Sequence, residues 1–380
     1  MTSRRQFLGG ALAVLGTRGS IVSAESTQGP AVTRGGDDAL ESALERLANT
    51  GPEFGGGLAN HGPMAAEALV RLGRPEAVTS WVEEYRHRLQ SHPEPRKPIS
   101  GDAWSEALGD FDRVGDWVRL FDRQLREGPW PAVLAVWAPR LAPGLVGAAF
   151  HGLIRTGHAV RGLGRRDTPA RRQELAEGLA YWAARYRRLP EAAHPRNSRL
   201  PSEALPEVAF LPPERRTPRR LISEGLAGLD AFPAFGGVID LVDPSRDTSA
   251  FLSNLTATFA RVYLEQAVTG GGVITFIHTV TGPSAIRLLL PHLPAALHPA
   301  LLRYGWQGTA GVYAALGQPS PGSAPTRPAL DADSLVDRAV ASGDEHAIKF
   351  TEACLREHAI DPRPIYLEAA GDAVRRLGRG

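Results

Sequence analysis

Apolar residues three and four positions apart recur along most of this chain, and prolines and glycines cut that rhythm into pieces of helical length. Val78, Trp81, Val82, Tyr85 and Leu89 form one such stripe after Pro75, which predicts a helix over 75–90. Val114, Trp117, Val118, Phe121 and Leu125 repeat it, and Trp130 to Leu141 is a further apolar segment. Helices are also predicted over 144–163, from Thr168-Pro169 through Tyr186, over 248–268 and over 299–317. Three more close the chain, at 333–342, 344–358 and 362–378. One octapeptide, Val273 to Val280, looks like a strand, although a buried helix reads much the same. No strand–helix–strand alternation appears. With 380 residues, 41 Gly and 31 Pro, the expected fold is all-α: a single multi-helix domain whose long Pro-rich loops lie at 190–220 and 318–328.

Composition removes several function classes. A formal net charge of +2 is too near neutral for a nucleic-acid surface. The single cysteine, Cys354, allows no intrachain disulfide and no cysteine-based metal site. There is no P-loop, no Gly-x-Gly-x-x-Gly after a strand and no Gly-x-Ser-x-Gly elbow, which argues against a Rossmann-bound flavin or nicotinamide. At the start, Ser3-Arg4-Arg5-Gln6-Phe7-Leu8 resembles a twin-arginine export motif, followed by a weakly apolar run and a small-residue cleavage pattern, Val22-Ser23-Ala24. The run is too short to span a bilayer, so no stable membrane insertion is expected. Residues 1–24 are therefore read as a signal, whose product is periplasmic or secreted; a basic start to a cytoplasmic protein is the alternative. Residues 25–53 are read as an extension with one short helix capped by Asp37-Asp38, and 54–380 as the functional domain.

The chemistry is carried by histidines and one lysine. Of eleven histidines, five lie among small or apolar residues: His61, His151, His158, His278 and His346. Each needs a partner once desolvated, and a shared metal would provide one for several at once. His151 and His158 are two helical turns apart, about 20° different in direction and roughly 10 Å apart along the axis. Lysine occurs only at positions 97 and 349, every other basic side chain apart from histidine being arginine. Lys349 lies one turn after His346 in Gly343-Asp344-Glu345-His346-Ala347-Ile348-Lys349-Phe350, a helix start with Asp344 as its cap. Unlike a guanidinium, a buried amine can shed its proton or react. Arg155 and Arg161, on the histidine helix, are candidates to stabilise a phenolate, and Trp137, Trp306 and Tyr313 are candidate walls for a flat substrate.

As a set, Asn60-His61-Gly62-Pro63-Met64, Trp137-Ala138-Pro139-Arg140-Leu141-Ala142-Pro143-Gly144, His151-Gly152-Leu153-Ile154-Arg155-Thr156-Gly157-His158, His278-Thr279-Val280-Thr281-Gly282-Pro283 and the octapeptide at 343–350 resemble the questin oxidase family, in the same order from about Phe54 to the C-terminus. The resemblance implies an oxidoreductase that uses O2 on an aromatic polyketide or quinone, by Baeyer–Villiger-type insertion or by ring cleavage in the manner of a dioxygenase. It implies non-haem iron (Fe2+), with NADPH as a soluble reductant in some members. Carried over by residue, it makes His61, His278, His346 and one or both of His151 and His158 the metal ligands, with Lys349 as a carboxylated lysine; Lys349 and Arg155 are the residues expected to act in catalysis. Two other readings stand beside it: a zinc or nickel hydrolase, and a non-catalytic helical ligand-binding protein with structural histidines.

Overall fold

The computed structural model describes residues 33–378 apart from 193–196, 217, 269 and 320–329. The export signal proposed for residues 1–24 lies outside the described residues. Helix α1 (Arg34–Leu47) is capped by the Thr33 hydroxyl, which accepts from the Gly36 amide, four residues before the expected cap at Asp37. A two-stranded hairpin, β1 (Glu53–Phe54) and β2 (Leu58–Ala59), leads into α2 (Gly62–Arg71), and α3 (Val78–Arg86) carries the first predicted stripe inward. Then come α4 (Val114–Glu127), α5 (Trp130–Leu141), α6 (His151–Arg165) and α7 (Pro169–Ala184). Among its described residues the stretch at 190–220 holds only short helices such as α8 (Pro201–Ala204), and the equally short α9 (Ile222–Gly225) follows it. The chain finishes with α10 (Thr248–Gln266), α11 (Gly270–Leu289), α12 (His298–Leu316), α13 (Ala332–Ser342), α14 (Glu345–Ile360) and α15 (Pro364–Leu377). The fold is mainly α, as expected.

Two sequence readings change. The strand-like octapeptide lies inside α11, where burial overrides the β-propensity of Val, Ile and Thr. Its threonines fold their hydroxyls back onto carbonyls of the preceding turn, Thr275 onto Gly271, Thr279 onto Phe276 and Thr281 onto Ile277. This helix is long and apolar enough to cross a membrane by length and composition, yet most of it is buried in the protein body. The helix expected from Gly144 starts instead at His151, because Ala148, Ala149 and Phe150 take left-handed angles (φ 46°, 54° and 67°). Close packing accompanies that turn: a Cβ on Gly147 would lie 1.7 Å from the Arg185 carbonyl oxygen, so the chain passes where only glycine fits. Phe150 is then gripped between Gly282 of α11 and Gly308 of α12.

Helices α2, α6, α11 and α14 pack in a ring, α2 on α6, α6 on α11, α11 on α14 and α14 on α2. The main core surrounds α4–α7 and α10–α15. A second apolar cluster under α1–α3 reaches α14 through Ile348, so the N-terminal helix is packed into the body.

Candidate metal centre

The ring of helices brings four imidazoles to one point. His61 is the residue before α2, His151 is the first residue of α6, His346 the second of α14, and His278 lies midway along α11. Ring centroids are 4.6 Å apart for His61–His151, His61–His346 and His151–His278, and 5.5 Å for His278–His346. His61, His151 and His278 are buried and His346 nearly so.

Local sequence fixes each ring. The Asn60 carbonyl oxygen accepts from the Gly62 amide, while its NH2 donates to the Thr50 hydroxyl and the Gly51 carbonyl; the His61 amide donates to Tyr85 Oη at 2.7 Å. The left-handed turn places the Ala148 carbonyl against His151 Nδ1. His278 Nδ1 meets the Ile274 carbonyl at 2.6 Å. A carbonyl only accepts, so both rings carry their proton on Nδ1 and turn a bare Nε2 inward. Asp344 caps α14 by accepting from the His346 and Ala347 amides, as the sequence predicted, and stands 3.5 Å from His346 Nδ1.

Those two inward Nε2 atoms, on His151 and His278, are 3.1 Å apart. Protonating one would turn the contact into a hydrogen bond, but burial first, and neighbouring basic groups second, hold both rings well below the usual histidine pKa. His61 is depressed for the same reasons, and its buried Nδ1 has no hydrogen-bond partner among the described residues. Opposed lone pairs at this distance repel, and a shared cation reverses the sign. Two imidazole nitrogens about 2.1 Å from one metal lie roughly 3.0–3.4 Å apart at octahedral or tetrahedral angles. The geometry fits a metal.

Lys349 is 2% exposed and makes no hydrogen bond or ion pair among the described residues. Its charge depresses His61, His151 and His278, which places the amine beside them. Burial lowers its own pKa to about 8, against the opposing pull of Glu345 and Asp344. An amine so poised is partly neutral near pH 7–8, the form that adds CO2. Glu345 was missed in the sequence reading. Its carboxylate and nitrogens of His61 and His346 all lie within 4.8 Å of one another, and Arg88 holds it from the other side at 3.4 Å. Its position four residues before Lys349, on one helix face, was the available signal.

The other predicted residues go elsewhere. His158 is not in the centre: its Nδ1 pairs with Glu67 at 2.7 Å, two turns below. Arg155 is not turned to substrate either, because Glu174 takes it bidentately at 2.6 and 2.8 Å. Arg161 spans Glu67 and Glu352. Trp137 belongs to an aromatic cluster with Trp104, Trp117 and Phe121, and donates to Gln124; Trp306 donates to the Val238 carbonyl; Tyr313 packs on Phe210. Trp137 and Trp306 are core residues, and Tyr313 packs half-buried against the core.

Three helices, α2, α6 and α14, direct their N-terminal ends at the imidazoles, and each brings positive potential. A cation there would need anionic ligands to offset that field, which Glu345 could provide, as could Lys349 if it were carboxylated. No protein-family model matches the chain, and no curated protein matches it.

Proposed function

We propose that this protein is a metal-dependent oxidoreductase of the questin oxidase type, acting with O2 on an aromatic polyketide or quinone by oxygen insertion or ring cleavage. His61, His151, His278 and His346 hold iron(II), with Lys349 as an anionic oxygen ligand once carboxylated. The observation that carries this reading is the pair of unprotonated Nε2 atoms facing each other at 3.1 Å inside a ring of four histidines. When bound, iron supplies the one-electron chemistry that O2 needs and that no amino-acid side chain provides.

The chain's own residues do the rest. Backbone carbonyls at Ala148 and Ile274 fix the tautomers of His151 and His278, so nitrogen lone pairs are ready for the ion without rearrangement. Burial keeps His61, His151 and His278 neutral, hence competent as ligands, and excludes bulk water from them. Glu345 and the carbamate lower the net charge, which favours oxidised states of the metal. NADPH enters only as a soluble reductant. Arg155, ion-paired with Glu174, has no part in this mechanism.

The test is elemental analysis after anaerobic purification with Fe(II), with a mass measurement for one added carbon dioxide on Lys349. One iron per chain, lost with the fold intact in Lys349→Arg, is the expected result. Full iron content and activity in Lys349→Arg would end the proposal. Retention of zinc alone would move the reading to a hydrolase, and a chelator without effect on stability would favour a binding protein with structural histidines.

A further inference from the structure

The segment from Arg219 to Gly225 touches the chain leading to three of the four histidines. Leu221 lies over Gly57, where a Cβ would come within 2.8 Å of Leu221 Cδ1, and Arg220 lies over Gly56; both glycines are in the hairpin that precedes His61. Helix α9 packs on residues 147–150, the left-handed turn that feeds His151. Arg219 Nη2 reaches Thr275 Oγ1 at 3.4 Å, one turn before His278 on α11. The segment is a strap laid over the elements that carry His61, His151 and His278.

Its arginines differ from those of the neighbouring helices. Arg155, Arg161, Arg287 and Arg356 are each tied to glutamates. Among the described residues Arg219, which is exposed where those four are buried, has only its long bond to Thr275, and Arg216, beside it, donates to the Leu211 and Gly317 carbonyls rather than to an acid. The nearest acid, Glu224, is engaged by the amides of Arg220 and Leu221. Partial loss of water lowers the pKa of Arg219, repulsion from Arg216 adds to it and Glu224 only partly opposes it, so an anion beside the pair would be favoured. The three helix N-termini at the centre favour the same sign of charge.

We propose that Arg219, backed by Arg216, sets specificity by binding an anionic substituent, a phenolate or carboxylate, on the aromatic substrate as it enters beneath the strap. This rests on the reading of the histidine cluster as the reactive centre. It moves phenolate recognition from Arg155 and Arg161, which their glutamates occupy, to a residue that sequence spacing does not connect with any histidine.

The test uses two probes with one ring system, anthraquinone-2-carboxylate and its neutral carboxamide, titrated against the full iron-loaded chain by quenching of tryptophan fluorescence. The expected result is about tenfold tighter binding of the carboxylate, the size of one charge-assisted hydrogen bond. That preference falls at high salt, disappears in Arg219→Gln with carboxamide affinity unchanged, and is largely kept in Arg219→Lys. Equal affinity for the two probes in the wild type, or a preference that survives Arg219→Gln, overturns the proposal. Iron content of the same preparations separates the two ideas. A chain that takes iron without discriminating the probes refutes the strap and keeps the centre, whereas a chain that takes none refutes the centre on which the strap depends.

Discussion

Helices α2, α6, α11 and α14 bear two buried polar clusters, and the two are built on opposite rules. In the lower one Glu67 takes Arg161 and His158, Arg161 continues to Glu352, Arg356 joins Glu352 to Glu357, and Glu357 also receives Arg287 and the Ser284 hydroxyl. Each acid there meets a base. In the upper one three imidazoles are held neutral, a lysine has no direct partner, and two nitrogens face each other without a proton between them. His158 is what a structural histidine looks like in this protein; His61, His151 and His278 are not like it. The lower cluster pairs its carboxylates with bases of the polypeptide, whereas the upper one leaves bare imidazole nitrogens that the proposed ion would satisfy.

The largest expected effect breaks the lower cluster. Glu357→Ala leaves Arg287 and Arg356 without their shared carboxylate and should cost about 3–5 kcal/mol in urea denaturation. His278→Ala in metal-free protein strands no charge and removes the Nε2 opposition, so it should cost less, about 1–2 kcal/mol. If the two losses are equal, the contrast between the clusters is wrong.

Acid should next dissect the lower cluster. Burial pushes the Glu67 carboxyl up, but Arg161 and His158 more than offset this and hold it at about 2. Its folded pKa lies below the unfolded value, so its contribution is complete above about pH 4.5 and is lost as pH falls toward 2, on the order of 3 kcal/mol. His158 is depressed mainly by burial, so the folded state binds fewer protons than the unfolded one and stability also falls as pH drops below 6.5. Glu67→Gln should flatten the acid limb of a stability–pH curve and leave iron content unchanged.

Iron separates the clusters directly. Fe(II) at a hundredfold excess over its Kd should stabilise the wild type by about 2.7 kcal/mol, read as a higher Tm under anaerobic conditions. His158→Gln should keep that increment, while His278→Ala and Lys349→Arg should lose it. The smallest effect concerns the turn before His151. Left-handed alanine costs roughly 1–2 kcal/mol and a glycine in the unfolded chain about 0.5–1 kcal/mol, so Ala148→Gly should raise stability by up to about 1 kcal/mol in the same denaturation assay.

The helices were legible because an amphipathic stripe is a local property, and most predicted spans agree with the fold within a few residues. Two failures were also local in origin. Ala148-Ala149-Phe150 carries no breaker, and its turn answers to a contact with Arg185, distant in sequence. Val273–Val280 reads as strand by propensity, and only burial on every side makes it helix. Within the site, small neighbours singled out the five histidines, and the rarity of lysine singled out position 349. Which histidine meets an acid depends on pairing across helices. No spacing rule connects Glu67 with His158, or Glu174 with Arg155, and so those two candidates were misplaced.

The donors at the centre come from widely separated parts of the polypeptide, His61 soon after the first helix and His346 with Lys349 on the last helix but one. A nascent chain that has not yet released α14 from the ribosome therefore owns only a partial set of imidazoles. On the proposed function, metal uptake and lysine carboxylation would be steps that follow synthesis, governed by the slow closure of long-range contacts. If the centre holds iron as proposed, the supply of iron and carbon dioxide to the completed protein, rather than to the growing one, would set how much of it matures.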